Sequence, residues 1–132
     1  MCVFCKIVKG EIPSYKVYED ENYLAFLDIS QATLGHTLVI PKAHYENFLD
    51  LKNPGKIFEL TQKITTKISK TLNVSDFNIL NNTGIKAGQT VNHFHLHIIP
   101  RYKENDLLLE FKKNSLTKED FTNLLNKITA PF

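Results

Sequence analysis

Several features are missing from this 132-residue chain, and each absence narrows what it can do. It has no block of consecutive basic residues: 16 Lys and Arg against 14 Asp and Glu leave a formal net charge of +2. That excludes the electrostatic stripe with which nucleic-acid binders grip phosphates, so no nucleic-acid partner is expected and any anionic ligand needs a local site. No apolar run approaches the ~20 residues of a membrane-spanning helix, so no membrane partner is expected either. The opening "MCVFCKIVKG" has only a short apolar stretch and no small-residue cleavage site, and reads as part of the folded domain rather than a signal peptide. There is no internal repeat, low-complexity tract or linker, which leaves one domain over residues 1–132. The cytoplasm is the expected compartment, where the 2 cysteines stay reduced. What is present is enough hydrophobic residue, 42%, to build a real core.

Residues 15–19 and 22–28 read as two strands of a hairpin, with "EDEN" as the turn. Residues 36–41, "HTLVIP", make a third strand, entered through Gly35 and closed by Pro41. A long helix follows, with Asn53 as N-cap and Pro54 in the first helical position. Its apolar stripe is Ile57, Leu60, Ile64, Ile68 and Leu72. Residues 76–82 return as a strand, "TGIKAGQ" is a glycine-bearing loop, and residues 91–99 form a last strand stopped by Pro100. Thr117 and Asp120 resemble a capping box ahead of a short C-terminal helix. Only one long helix intervenes between strands joined by short turns. The fold class is therefore α+β, a mainly antiparallel five-stranded sheet with one long and one short C-terminal helix.

The stretch "HFHLHIIP" holds three of the chain's 5 histidines at alternate positions. Side chains alternate across a strand, so His93, His95 and His97 share one face, spaced ~6.6 Å apart, and Phe94, Leu96 and Ile98 share the other. A single strand is a poor cage for one metal, because the outer two histidines lie ~13 Å apart while Zn–N bonds are ~2.0–2.1 Å. A split is the better reading: one histidine reaches a metal and the others do chemistry. The loop before the row brings Gly84, Gly88, Gln89 and Thr90, a combination of close-approach glycines and neutral donors suited to an anion. Neutral imidazole is a good nucleophile toward phosphorus, and a second, protonated imidazolium can stabilise the phosphoryl oxygens or protonate a leaving group. His95, flanked on both sides, is the natural nucleophile, and His97 the natural partner.

These residues resemble the His-φ-His-φ-His-φ-φ signature (φ apolar) of the histidine triad (HIT) superfamily, nucleotidyl hydrolases and transferases acting at the α-phosphate of nucleotides. "FCKIVKGEIPSYKVYEDENYLAFLDIS", "GHTLVIPKAH" and "AGQTVNHFHLHIIPR" are similar to its N-terminal segment, third strand and active-site strand, in the expected order. The resemblance implies a HIT-like fold and a homodimer. It implies a covalent nucleotidyl-His95 that water cleaves, with His97 and His36 at the phosphate or leaving group. It places Gln89 and Thr90 on phosphate oxygens, Asn82 and Gly88 along the phosphate and sugar, and Asp28, beside Ile29, on the ribose hydroxyls. Val3, Phe4, Ile7 and Leu38 would form an apolar slot for a purine base. No organic cofactor is implied.

Cys2 and Cys5 form C-x-x-C, which by itself fits zinc ligands, a redox pair or two ordinary cysteines. With His44 and His93 they would complete a saturated Cys₂His₂ set holding one structural Zn²⁺ per subunit. Zinc-bearing branches of the superfamily carry two cysteines and two histidines in this arrangement. The leading function is a hydrolase of purine nucleoside 5′-phosphoramidates and related nucleoside monophosphate conjugates. "AGQTV…IIPR" also resembles the dinucleoside polyphosphate hydrolases, and a slow nucleotide-binding regulator is a third reading. Uridylyl transfer is disfavoured, since its triad pattern has Gln where this chain has His97.

Overall fold

Short apolar strands need a sheet to satisfy their backbone, and the computed structural model, which describes residues 2–131, supplies one of five strands. The elements run α1 (Val3–Val8), β1 (Lys16–Glu19), β2 (Tyr23–Leu27), β3 (Thr37–Pro41), α2 (Pro54–Leu72), β4 (Asp76–Leu80), β5 (Leu96–Arg101) and α3 (Lys118–Ile128). Every pairing is antiparallel, in the spatial order β1-β2-β3-β5-β4. The α+β class and the sheet expected from sequence are both present. The hairpin turn is made by Asp20, whose carboxylate accepts from the Asn22 and Tyr23 amides.

The alternation of the strands divides the core in two. Ala25, Val39, Leu96 and Ile98, with Phe94, pack against Ile57, Ile64 and Ile68 of α2. On the opposite face Leu24, Phe26, Leu38 and Ile40 pack against Phe4 and Ile7 of α1. Asp28, His36, His95 and His97 continue the alternation of this second face, so the sheet puts all of them on the side away from α2.

Several boundaries differ from the sequence reading. Helix α1 was not foreseen: its six residues are too few for a periodic signal, and its cap is the Cys2 sulfur, which accepts from the Cys5 amide at 3.2 Å. Asn53 does not cap α2 through its side chain; it takes a left-handed conformation, φ 52°, ahead of Pro54. Leu72 falls off the buried stripe and Thr61 joins it, turning its hydroxyl back to the Ile57 carbonyl at 2.7 Å. β4 ends at Leu80 rather than at residue 82. β5 begins at Leu96 rather than at residue 91 and runs through Pro100 to Arg101. Pro100 is tolerated because β3 pairs with β5 only as far as Ile98, so that side of the strand has no ladder to break. The capping box of α3 is present, Thr117 and Asp120 bonding reciprocally. Among the described residues no helix is long and apolar enough to cross a membrane.

Candidate active site and metal centre

The segment before β5 is not a strand because its backbone is held by other partners. The Phe94 amide donates to the Tyr45 carbonyl at 2.6 Å, and the Asn81 side chain donates to the His95 carbonyl at 3.0 Å. Thr83 in turn donates to Asn81 at 2.7 Å. Asn81, which sequence reasoning missed in favour of its neighbour Asn82, therefore carries the backbone of His95. The alternation of side chains survives, and the three histidines go to three different environments.

His93 is fully buried, and its Nε2–H donates to the Pro41 carbonyl at 2.7 Å. That bond fixes the tautomer and leaves the Nδ1 lone pair free. Nδ1 faces His44 Nδ1 at 3.2 Å, Cys2 Sγ at 3.3 Å and Cys5 Sγ at 3.6 Å. Cys2 to Cys5 is 3.2 Å, Cys2 to His44 is 3.6 Å and Cys5 to His44 is 3.4 Å. These are the six edges of a small tetrahedron. Zn–S bonds of about 2.3 Å and Zn–N bonds of about 2.0–2.1 Å at the tetrahedral angle call for edges of about 3.3–3.8 Å. The observed edges run from 3.2 to 3.6 Å, close to these but with the Cys2–Cys5 edge shorter than a bound zinc would set it; the donors suit a closed tetrahedral ion, and the buried histidine is oriented by a backbone carbonyl, as metal-ligating histidines commonly are. The thiols come from the N-cap and the first turn of α1, where C-x-x-C spacing brings them together.

His95 is buried, with Phe4 edge-on at 5.1 Å between ring centroids. Its Nδ1 is 2.8 Å from the His93 carbonyl, an acceptor only, so Nδ1 carries the proton and Nε2 carries a bare lone pair. Burial pushes its pKa down, against the opposing pull of that carbonyl and of Asp28. His97 reads the other way. The Ala32 amide donates to His36 Nδ1 at 3.2 Å, so His36 has its proton on Nε2 and gives it to His97 Nδ1 at 2.9 Å. His97 is thereby left with its own proton on Nε2. Burial, with His95 and His36 close by, pushes the His97 pKa down to about 4. The row at neutral pH is thus one imidazole offering a lone pair beside one offering N–H, ring centroids 5.0 Å apart.

Asp28 lies 3.7 Å from His36 Nε2, and its other oxygen takes the Ser30 amide at 2.8 Å. The pair is not an ion pair, because burial lowers the His36 pKa more than Asp28 raises it. Asp28, His36 and His97 converge closely enough to invite a second metal. The Ala32 N–H argues against one: it occupies His36 Nδ1 and keeps a proton on the nitrogen that a metal would need.

The 84–90 loop is ordered by Gln89, which is buried. Its two N–H groups donate to the Glu46 and Val91 carbonyls at 2.6 and 3.0 Å, and its oxygen accepts from the Gly84 amide at 2.8 Å. The amides of Ala87, Gly88 and Gln89 also bond back into the loop, so this stretch is closed on itself rather than arranged as an open nest. Gly88 turns at φ 94°, against the Asn82 side chain. Thr90 is exposed. Phe4, Ile7 and Leu38 are core residues; Val3 and Ile29, 41% and 87% exposed, supply open apolar surface. Arg101, the last residue of "IIPR", bonds to Asn78, Asp106 and the Glu104 and Leu107 carbonyls, which ties down the turn after β5.

Comparison with known proteins follows the same lines. The family model described as HIT domain matches residues 9–104. The chain is 54% identical over 107 residues to Protein hit of Bacillus subtilis (strain 168), covering 80% of this chain and 74% of that one. It is 44% identical over 110 residues to adenylylsulfatase HINT3 of Arabidopsis thaliana, covering 81% of this chain and 55% of that protein. Adenosine 5′-monophosphoramidase HNT1 of Saccharomyces cerevisiae (strain ATCC 204508 / S288c) is 39% identical over 108 residues, covering 82% and 67%. The crystal structure of a HIT family protein from Bacillus anthracis superposes with a TM-score of 0.87 at 51% identity, covering 96% of this chain and 94% of that one.

Proposed function

This chain belongs to the HIT domain family, and from that premise we propose that it hydrolyses purine nucleoside 5′-phosphoramidates and related nucleoside monophosphate conjugates through a covalent nucleotidyl-His95. A hydrolase is what the named relatives are, an adenylylsulfatase and an adenosine 5′-monophosphoramidase. Both names describe the hydrolysis of a conjugate of adenosine 5′-monophosphate. The observation that carries the reading is the opposed tautomers of His95 and His97.

Attack by the His95 Nε2 lone pair on the α-phosphorus forms an N–P bond as the bond to the leaving group breaks, and the amine departs as a neutral molecule with a proton taken from solvent. The cation that develops on His95 is stabilised by its Nδ1–H against the His93 carbonyl. His97 Nε2–H donates to the phosphoryl oxygens or to the departing amine, and His36 Nε2–H, by occupying the His97 Nδ1 lone pair, keeps the His97 proton on Nε2. Water then displaces His95 from phosphorus and returns a proton to solvent, releasing the nucleoside monophosphate and restoring the neutral imidazole. Asp28 is assigned to the ribose hydroxyls, Val3 and Ile29 to the edge of the base, and Thr90 with Asn82 and Gly88 to the phosphate side. Gln89 acts by holding the loop, since both of its N–H groups already have partners.

Zinc is proposed at Cys2, Cys5, His44 and His93, where it would supply a saturated crosslink between α1, the loop after β3 and the segment leading to His95. His93, His44 and the cysteines then position and do not react. A homodimer is proposed as well: among the described residues the outer edge of β4 has no partner strand, and Phe58 and Ile79 are 42% and 46% exposed. The free thiols suit a reducing cytoplasm.

The test is a paired assay of adenosine 5′-phosphoramidate and diadenosine tetraphosphate on wild type and His95→Ala. Preference for the phosphoramidate, lost by at least ~10³-fold in the variant, is the expected result. Preference for the dinucleotide moves the chain to the polyphosphate branch. Turnover that survives in His95→Ala overturns the nucleophile.

A further inference from the structure

A proton fixed on His36 Nε2 is what makes His97 a donor. The Ala32 amide donates to His36 Nδ1 at 3.2 Å and so keeps the proton off that nitrogen. Without that amide in place Nδ1 can take the proton instead, with the His36–His97 bond reversed or lost. Gln31 directly precedes Ala32 in the chain. Its side chain is exposed, yet all its polar capacity is turned inward. Nε2 donates both hydrogens, to the Asp28 carbonyl and to the His36 carbonyl at 2.7 Å. Oε1 accepts from the Gly35 amide at 2.8 Å. Two carbonyls and one N–H admit only this orientation of the amide. The contacts close the loop from Asp28 to His36 on itself, across the Asp28 amide to His36 carbonyl bond at 3.0 Å.

We propose that Gln31 is a positioning residue for the reaction: its carboxamide clamps the Asp28–His36 loop in the one arrangement that puts the Ala32 N–H on His36 Nδ1. The clamp thus decides which nitrogen of His97 faces the substrate with a proton. The inference rests on the catalytic reading of the histidine row given above. It extends that reading to an exposed side chain that touches no reacting atom.

Two variants remove the donors while keeping the length of the side chain, Gln31→Met without polar groups and Gln31→Glu with the acceptor retained. Each is compared with wild type, carrying its metal, by histidine ¹⁵N NMR and by steady-state hydrolysis of adenosine 5′-phosphoramidate. In wild type the His36 signals should show the proton on Nε2. In both variants a population with the proton on Nδ1 should grow in, and kcat should fall by roughly 10- to 100-fold, the usual cost of losing an orienting partner, with KM changed by less than about threefold. A His36 tautomer identical to wild type in both variants overturns the proposal, even if stability and kcat fall, because Gln31 would then be only a loop staple. A tautomer shift with unchanged kcat overturns it too. If wild type hydrolyses nothing while the tautomer still shifts in the variants, the reading of the function fails and the clamp stands.

Discussion

His97 carries a cost of burial that can be measured. Its pKa falls from an ordinary 6.5 to about 4, first through burial and then through His95 and His36. The unfolded chain therefore binds a proton at His97 that the folded chain refuses. The linkage sign follows: this contribution to stability is complete above pH 6.5 and is lost as pH falls toward 4. Fully titrated, the gap amounts to about 3 kcal/mol, of which about 2 kcal/mol is lost between pH 7 and pH 5. His97→Gln removes the titrating group and keeps an amide able to meet the His36 N–H. Urea unfolding of wild type and variant at pH 7 and pH 5, at matched metal content, isolates the term. The other buried histidines titrate in both proteins and largely cancel in the comparison. Wild type should lose about 2 kcal/mol more than His97→Gln over this interval. Equal losses would refute a neutral, buried His97, and with it the donor role assigned to its Nε2–H.

Two further outcomes are expected. Cys5→Ala opens one vertex of the tetrahedron, so bound zinc measured by elemental analysis should fall well below one per chain, with a stability loss of roughly 3 kcal/mol, about 10 °C in Tm; a wild type that binds no zinc removes the basis for this. Asp28→Ala should weaken binding of a nucleoside monophosphate about tenfold by calorimetry, and that of its 2′,3′-dideoxy analogue hardly at all; equal weakening of both would remove Asp28 from the ribose.

How far the sequence could be read depended on the length of each signal. Alternation in "YLAFL" and "HFHLHII" and the stripe of α2 are long enough to specify faces, so the two core layers were legible. Six residues of α1 were not, since a helix of under two turns has no period to detect. Pro100 misled because it bars a ladder bond only where a partner strand exists, and the reach of β3 is a tertiary fact. Asn81 and Gln31 were invisible for a similar reason: each acts by holding a carbonyl brought to it by the fold, His95 in one case and Asp28 with His36 in the other.

Sequence alone determined that three histidines share a face and that two thiols stand three residues apart; that His36 and His44 belong with them was implied by the family resemblance. A shared face can be read from spacing because the period of 2 residues in a strand is a property of the backbone. What each histidine does was decided only by the tertiary structure. A lone pair or a proton at a given ring nitrogen is set by whether the group opposite is a carbonyl or an amide. The Pro41 carbonyl directs His93 toward the thiols, the His93 carbonyl frees the far nitrogen of His95, and the Ala32 amide, acting through His36, gives His97 its proton. Two of those three groups lie far from the row in sequence, and only folding brings them to it.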